Sequence, residues 1–101
     1  MVSISIENGP QETKVNINGE LDVVATTEQA SLLNQVLILA GNTLEIDCSG
    51  LKYISSAGLR FFMKLKHESM AKDGSIRLTH LNKDVADIFR MSGFNSFFEI
   101  D

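Results

Sequence analysis

Hydrophobic and polar residues alternate in two stretches near the start of the chain. Val2, Ile4 and Ile6 are interleaved with Ser3, Ser5 and Glu7, and Val15 and Ile17 with Lys14, Asn16 and Asn18. A period of two sends successive side chains to opposite faces of a strand, so both stretches predict half-buried β-strands. Asn8-Gly9-Pro10 between them carries turn chemistry and predicts an antiparallel hairpin. Gly19-Glu20-Leu21-Asp22 reads as a polar turn. The period then changes: Ala30, Leu33, Leu37 and Ala40 recur at helical spacing, and Thr26 and Gln29 stand in the order of a capping box. A first helix is predicted there, stopped by Gly41-Asn42.

Thr43 to Cys48 reads as a short strand, parallel to the previous one because a helix separates the two. A second helix is predicted over about 57–71 and an alternating strand over 75–80. Asn82 caps a third helix with Val85, Ile88 and Phe89 on one stripe, Gly93 ends it, and the remainder is a last strand or extended tail. The order β-β-α-β-α-β-α-β predicts one α/β domain over 1–101. Its sheet is mixed, mostly parallel and of four to five strands, and right-handed crossovers wound one way put the helices mainly on one face. Sites in open α/β sheets gather at the carboxyl ends of the strands, where this reading puts Asp47 to Ala57.

Composition narrows the function classes. The chain has 101 residues, 44% of them hydrophobic, enough for one domain with one core. Nine basic against thirteen acidic residues give a net charge of −4 without any basic block, which argues against a nucleic-acid surface and for a protein or small-ligand partner. Cys48 is the only cysteine, so neither a disulfide framework nor a cysteine-based metal cluster is expected, and the residue reads as a small buried apolar group. The start MVSISIENG lacks a signal-peptide pattern, and the longest apolar run, VLILA at 36–40, is far short of a membrane span. A cytoplasmic monomer, not membrane-bound, is the expectation. His67 and His80 are the only histidines, and no Gly-x-Ser-x-Gly elbow or metal-ligand spacing accompanies them. No enzyme activity, metal or cofactor is predicted.

The remaining chemistry lies in Tyr53-Ile54-Ser55-Ser56-Ala57-Gly58-Leu59, where two hydroxyls stand at a strand-to-helix junction. Either serine could simply cap the helix by accepting an orphan N–H. Alternatively, the free N–H groups and partial positive charge of a first helical turn suit a covalently attached phosphate, which makes a serine there a candidate acceptor.

At these residues the chain resembles a known family. DCSGLKYISSAGLRFF at 47–62 resembles the signature of the STAS domain, specifically of bacterial anti-anti-sigma factors, also called anti-sigma factor antagonists. Asn18-Gly19-Glu20-Leu21-Asp22 resembles the family's Gly-Glu/Asp-Leu-Asp segment, and Phe89-Arg90-Met91-Ser92-Gly93-Phe94 the segment after its third helix. The three matches follow the family's order and spacing across nearly the whole chain. The resemblance implies a non-enzymatic partner switch. The unmodified protein binds an anti-sigma factor that is also a serine kinase, freeing the sigma factor; phosphorylation breaks that complex, and a PP2C-type phosphatase restores it. The implied acceptor is the serine two positions before Gly-Leu, here Ser56. Glu20, Asp22, Asp47, Ser55, Ala57, Gly58 and Arg60 join Ser56 in the implied partner surface, with Asp22 and Asp47 near the acceptor and Gly58 leaving room for a partner's backbone.

Two departures stand out. Many members carry Asp where this chain has Ser55 and Ser or Thr where it has Ala57. The family also commonly continues into a further C-terminal helix, whereas this sequence ends at Asp101; Phe94, Phe97, Phe98 and Ile100 are expected in the core. Met63 and Met70 are read as core filler. The alternative function on the same fold is a STAS accessory subunit of a phospholipid ABC transport complex, unphosphorylated and supporting an ATP-binding partner.

Overall fold

The computed structural model describes residues 2–10, 12–96 and 98–100. Strands β1 (Ser3–Asn8) and β2 (Glu12–Leu21) form the predicted antiparallel hairpin, with Ile4 opposite Ile17 and Ile6 opposite Val15. The chain then runs through α1 (Val23–Glu28), α2 (Ala30–Ile38) and a 3-10 turn at Leu39–Gly41 into β3 (Thr43–Ile54). Helix α3 (Ser56–Ala71), β4 (Ser75–Thr79), α4 (Lys83–Met91), a 3-10 turn at Phe94–Ser96 and a short β5 (Glu99–Ile100) complete it. The sheet order is β1-β2-β3-β4-β5, parallel at every pairing after the first hairpin. The predicted mixed, mostly parallel α/β sheet is therefore present, with five strands.

One face of the sheet carries the core. Val15, Ile17, Leu44, Ile46 and Leu78 are fully buried there with Leu33, Val36, Phe62, Leu65, Val85 and Phe89 from the helices. Phe62, Phe89 and Phe98 meet edge to face, with ring centroids 5.3 to 6.1 Å apart, so the C-terminal segment seals that end of the core. Phe94 is partly buried against it, Ile100 is exposed, and Phe97 lies outside the described residues. Met63 is half-buried as filler, but Met70 is exposed, because α3's core face runs through Phe62, Leu65 and Ser69.

The opposite face of the sheet is polar. Arg77 bridges Glu12 and Glu45 at 3.7 and 3.3 Å, and Asp47 stands 3.6 Å from the Lys14 ammonium and 3.4 Å from His80 Nδ1. Burial pushes the Glu45 carboxyl up, but the Thr79 hydrogen bond and the charges of Lys14 and Arg77 outweigh it and hold the group below its usual value.

Three local expectations change. Gly19-Glu20-Leu21 is not a turn but the end of β2, and the first helix begins earlier, at Val23, with Asp22 Oδ1 accepting the Ala25 N–H at 2.9 Å. The Thr26–Gln29 capping box does not form. Thr26 and Thr27 instead donate back to the Val23 carbonyl, and Gln29 leaves helical geometry (φ −104°, ψ 20°), breaking the helix into α1 and α2. Strand β3 runs to Ile54 and not to Cys48. Its pairing with β2 shifts between Asn16 and Asn18 and again between Gly19 and Glu20, each time inserting an extra β3 residue. Burial therefore passes from alternate residues to Cys48, Leu51 and Ile54, every third one.

Candidate functional site

The double serine follows β3 directly, at the carboxyl end of the sheet. Ser55 is the N-cap of α3: its backbone is extended (φ −92°, ψ 177°) and its Oγ accepts the Gly58 N–H at 3.4 Å. The same hydroxyl donates to the Leu21 carbonyl at 3.3 Å, and the Ser55 N–H donates to that carbonyl at 3.0 Å. Ser55 is thus fixed to the end of β2 as well as to its own helix. Ser56 is the first residue inside the helix, and its side chain is exposed and outside the cap. The capping role belongs to one serine, leaving the other at the surface.

Around Ser56 the ends of two strands converge. Leu21 pairs with Ile54 and Glu20 with Tyr53, so Asp22 and Glu20 reach the same edge as the two serines. Asp22 is engaged as the cap of α1, and Glu20 is exposed at the surface. Ala57 is half-buried, and Arg60, one turn along α3 from Ser56, is exposed.

Two expected members of the surface are placed differently. Asp47 lies on the polar face before the first β3 irregularity, seven residues ahead of Ile54, or about 20 Å of strand. The Ser49 backbone N–H donates to it at 2.9 Å and, with the charges of His80 and Lys14, holds its carboxyl below the usual value of 3.8 despite partial burial. The structure therefore separates Asp47 from Ser56 and gives it a role in the sheet. Gly58 is buried, and the space that a side chain would need is filled from within: a Cβ there would stand 2.6 Å from the Leu21 carbonyl oxygen and 2.7 Å from Ile54 Cγ1. The backbone that approaches Gly58 is the chain's own, which corrects the expectation of room for a partner.

Sequence reasoning passed over three apolar residues at this edge. Val23 and Val24, which open α1 after Asp22, and Tyr53, which pairs with Glu20, are 61%, 57% and 48% exposed. The signal was available: two consecutive valines opening a helix cannot both face one core. Exposed apolar groups near the strand ends are available for contact with another protein. Cys48, by contrast, is fully buried, and burial pushes its thiol up to about 12, as fits an inert packing residue. Among the described residues no cluster of His, Cys, Asp or Glu could hold a metal, and no helix is long and apolar enough to cross a membrane.

Comparison with known proteins agrees with this fold. No curated protein is significantly similar in sequence. In structure, the chain superposes on an anti-sigma factor antagonist from Mycobacterium paratuberculosis with a TM-score of 0.84 at 17% identity, covering 99% of this chain and 85% of that one. The anti-sigma factor antagonist SpoIIAA in its unphosphorylated form gives 0.72 at 15% identity, over 98% of this chain and 87% of that one. The phosphorylated form of the Bacillus cell fate determinant SpoIIAA gives 0.71 at 17% identity, over 98% and 91%. At these identities the likeness is one of fold. The family described as "Mlab, STAS domain" matches residues 4–99, nearly the whole chain, and the protein therefore belongs to the STAS domain family.

Proposed function

We propose that this STAS domain is a non-enzymatic anti-sigma factor antagonist whose switch is Ser56. In this reading the unmodified form binds an anti-sigma factor that is also a serine kinase and frees the sigma factor. Phosphorylation of Ser56 ends the complex, and a PP2C-type phosphatase restores it. One observation carries the reading: Ser55 supplies the helix cap while Ser56 stands exposed as the first residue of α3.

The physics of such a switch follows from that arrangement. A phosphate adds roughly −1.5 to −2 charges and three acceptor oxygens. On the free protein, water and the first turn of α3 solvate it, so the fold is retained. In a complex, a partner that covers Ser56 excludes water, and a charge held there without compensation is strongly unfavourable. The expected outcome is dissociation without unfolding.

The test uses the serine kinase purified with the chain as its binding partner. With ATP it should add one phosphate, mapped to Ser56 and not to Ser55. In calorimetric titrations Ser56→Ala should bind within about 0.5–1.5 kcal/mol of wild type, the worth of one neutral hydrogen bond. Ser56→Asp should lose several kcal/mol, on the order of a desolvated unpaired charge. Equal affinities for all three proteins would remove Ser56 from the interface. A second reading, a STAS accessory subunit of a phospholipid ABC transport complex, is favoured by the description of the matching family as Mlab. Stable copurification with a transporter ATPase, without phosphorylation, would select it.

A further inference from the structure

Helix α3 and the α1–α2 pair leave a groove of about 390 Å³ between them, open to solvent and beginning at Ala57, the residue after Ser56. Its floor and walls are apolar: Ala30, Leu33 and Leu37 from α2, Ala57 and Phe61 from α3. Its polar rim is asymmetric. Arg60 and Lys64 stand on the α3 side, Thr26 and Asn34 on the other, and no carboxylate lines it. Lys14, Lys72, Arg77 and Arg90 have carboxylate partners, whereas Arg60 and Lys64, like Lys52, Lys66 and Lys83, make no ion pair among the described residues; Arg60 and Lys64 are the two that share a groove with no carboxylate in its lining. In a chain of net charge −4, this rim is a local site of uncompensated positive charge. Beyond the groove, the Lys72 ammonium at the end of α3 donates to the Leu37 and Ile38 carbonyls at 3.3 and 3.5 Å, joining the carboxyl ends of α3 and α2.

We infer that this groove docks an acidic amphipathic helix of the protein partner, with apolar side chains in the trough and carboxylates on Arg60 and Lys64. Charge complementarity selects the acidic occupant, and a trough between two helices suits the helix-in-groove mode of recognition. A small ligand fits less well, since an open groove covers little of its surface. The inference takes the protein nature of the partner from the reading above and extends it. Arg60 lies four residues after Ser56, where side chains on a helix meet. A phosphate on Ser56 would then draw the guanidinium to itself, away from the partner's carboxylate, so modification would weaken the groove as well as the surface around the serine.

The experiment titrates the isotope-labelled chain with two capped amphipathic peptides of roughly 16 residues, long enough to populate a helix. Both carry leucines at helical spacing, flanked by glutamates in one and lysines in the other. Amide shifts should appear at Ala30, Leu33, Leu37 and Phe61 with the acidic peptide, which should bind about tenfold more tightly than the basic one. Arg60→Glu combined with Lys64→Glu should reverse that preference, and Ala30→Trp, at an exposed position, should abolish the shifts while the circular dichroism is unchanged. Equal binding of the two peptides, no binding, or shifts confined elsewhere would overturn the inference. The kinase separates the two claims. If Ser56→Asp releases the kinase but the charge reversal leaves its affinity unchanged, the groove inference fails and the proposed switch stands. If the peptide preferences hold but no kinase modifies Ser56, the reverse applies.

Discussion

Replacing Gly58 by alanine should destabilise the domain, although it places a better helix former inside α3. The gain in helix propensity is about 0.8–1.0 kcal/mol. Against it stands the new Cβ, 2.6 Å from the Leu21 carbonyl oxygen, 2.7 Å from Ile54 Cγ1 and 3.1 Å from Leu21 Cγ. The carbonyl is backbone and cannot rotate aside; it already accepts the Ser55 N–H at 3.0 Å and the Ser55 hydroxyl at 3.3 Å. Relief comes only by moving the start of α3 away from the end of β2. Overpacking of this kind costs roughly 1–3 kcal/mol, and loosening each of the two hydrogen bonds costs about 0.5–1.5 kcal/mol more. The net loss for Gly58→Ala is about 1–5 kcal/mol, with a central value of about 3 kcal/mol, which corresponds to roughly 12–24 °C in melting temperature for a domain of this size. Gly58→Val should be worse, as its extra methyls meet the same wall. Urea and thermal unfolding followed by circular dichroism measure both. An alanine variant as stable as wild type, or more stable, would refute the reasoning and show that β2 yields to the methyl group.

Three further outcomes are expected. Ser55→Ala should cost about 1 kcal/mol through loss of the cap, whereas Ser56→Ala should stay within about 0.5 kcal/mol of wild type; equal losses in urea melts would mean that both hydroxyls cap. The Ser49 N–H holds the Asp47 carboxyl below 3.8, so as pH falls the unfolded chain protonates first and the stabilisation present at neutral pH is lost. The stability difference between wild type and Asp47→Asn should accordingly shrink as pH drops through and below 3.8; a constant difference would show that the carboxylate's charge is immaterial. Finally, Cys48 should resist thiol reagents in the native protein and react fully in denaturant, with fast native labelling contradicting its burial.

What the sequence revealed depended on whether the controlling interaction was local. The β1–β2 hairpin and α4 were readable because an undisturbed period and nearby turn or cap residues define them; Asn82, for instance, accepts the Val85 N–H at 2.8 Å as a cap should. The tail of β3 was hidden because two register irregularities convert its burial from every second to every third residue, which no strand template matches. Asp22 as a cap was hidden behind the more conspicuous Thr26–Gln29 pattern, yet Asp22 sits where β2 ends and so decides where the helix starts. Close approach at Gly58 is legible from its place in the first helical turn, but the neighbour is not, since Leu21 is 37 positions away in sequence and nothing local announces it.

The same long-range contact divides the labour of the two serines. Spacing alone could assign either of them to the cap, because a helix start is uncertain by a residue. The Leu21 carbonyl resolves the ambiguity by accepting both the N–H and the hydroxyl of Ser55, which fixes that residue as the last extended one and Ser56 as the first helical one. The consequence for modification is chemical. Esterifying Ser55 would delete the hydrogen that it donates to Leu21 and set phosphate oxygens against a carbonyl oxygen, so a phosphate there would oppose the fold. At Ser56 a phosphate would meet solvent and the unsatisfied N–H groups of the first turn, and would leave the Leu21 contact intact. A shift of one residue in the helix start would exchange these roles, which is why the register set by Leu21, more than the presence of two hydroxyls, makes Ser56 the serine that can change charge while the domain stays folded.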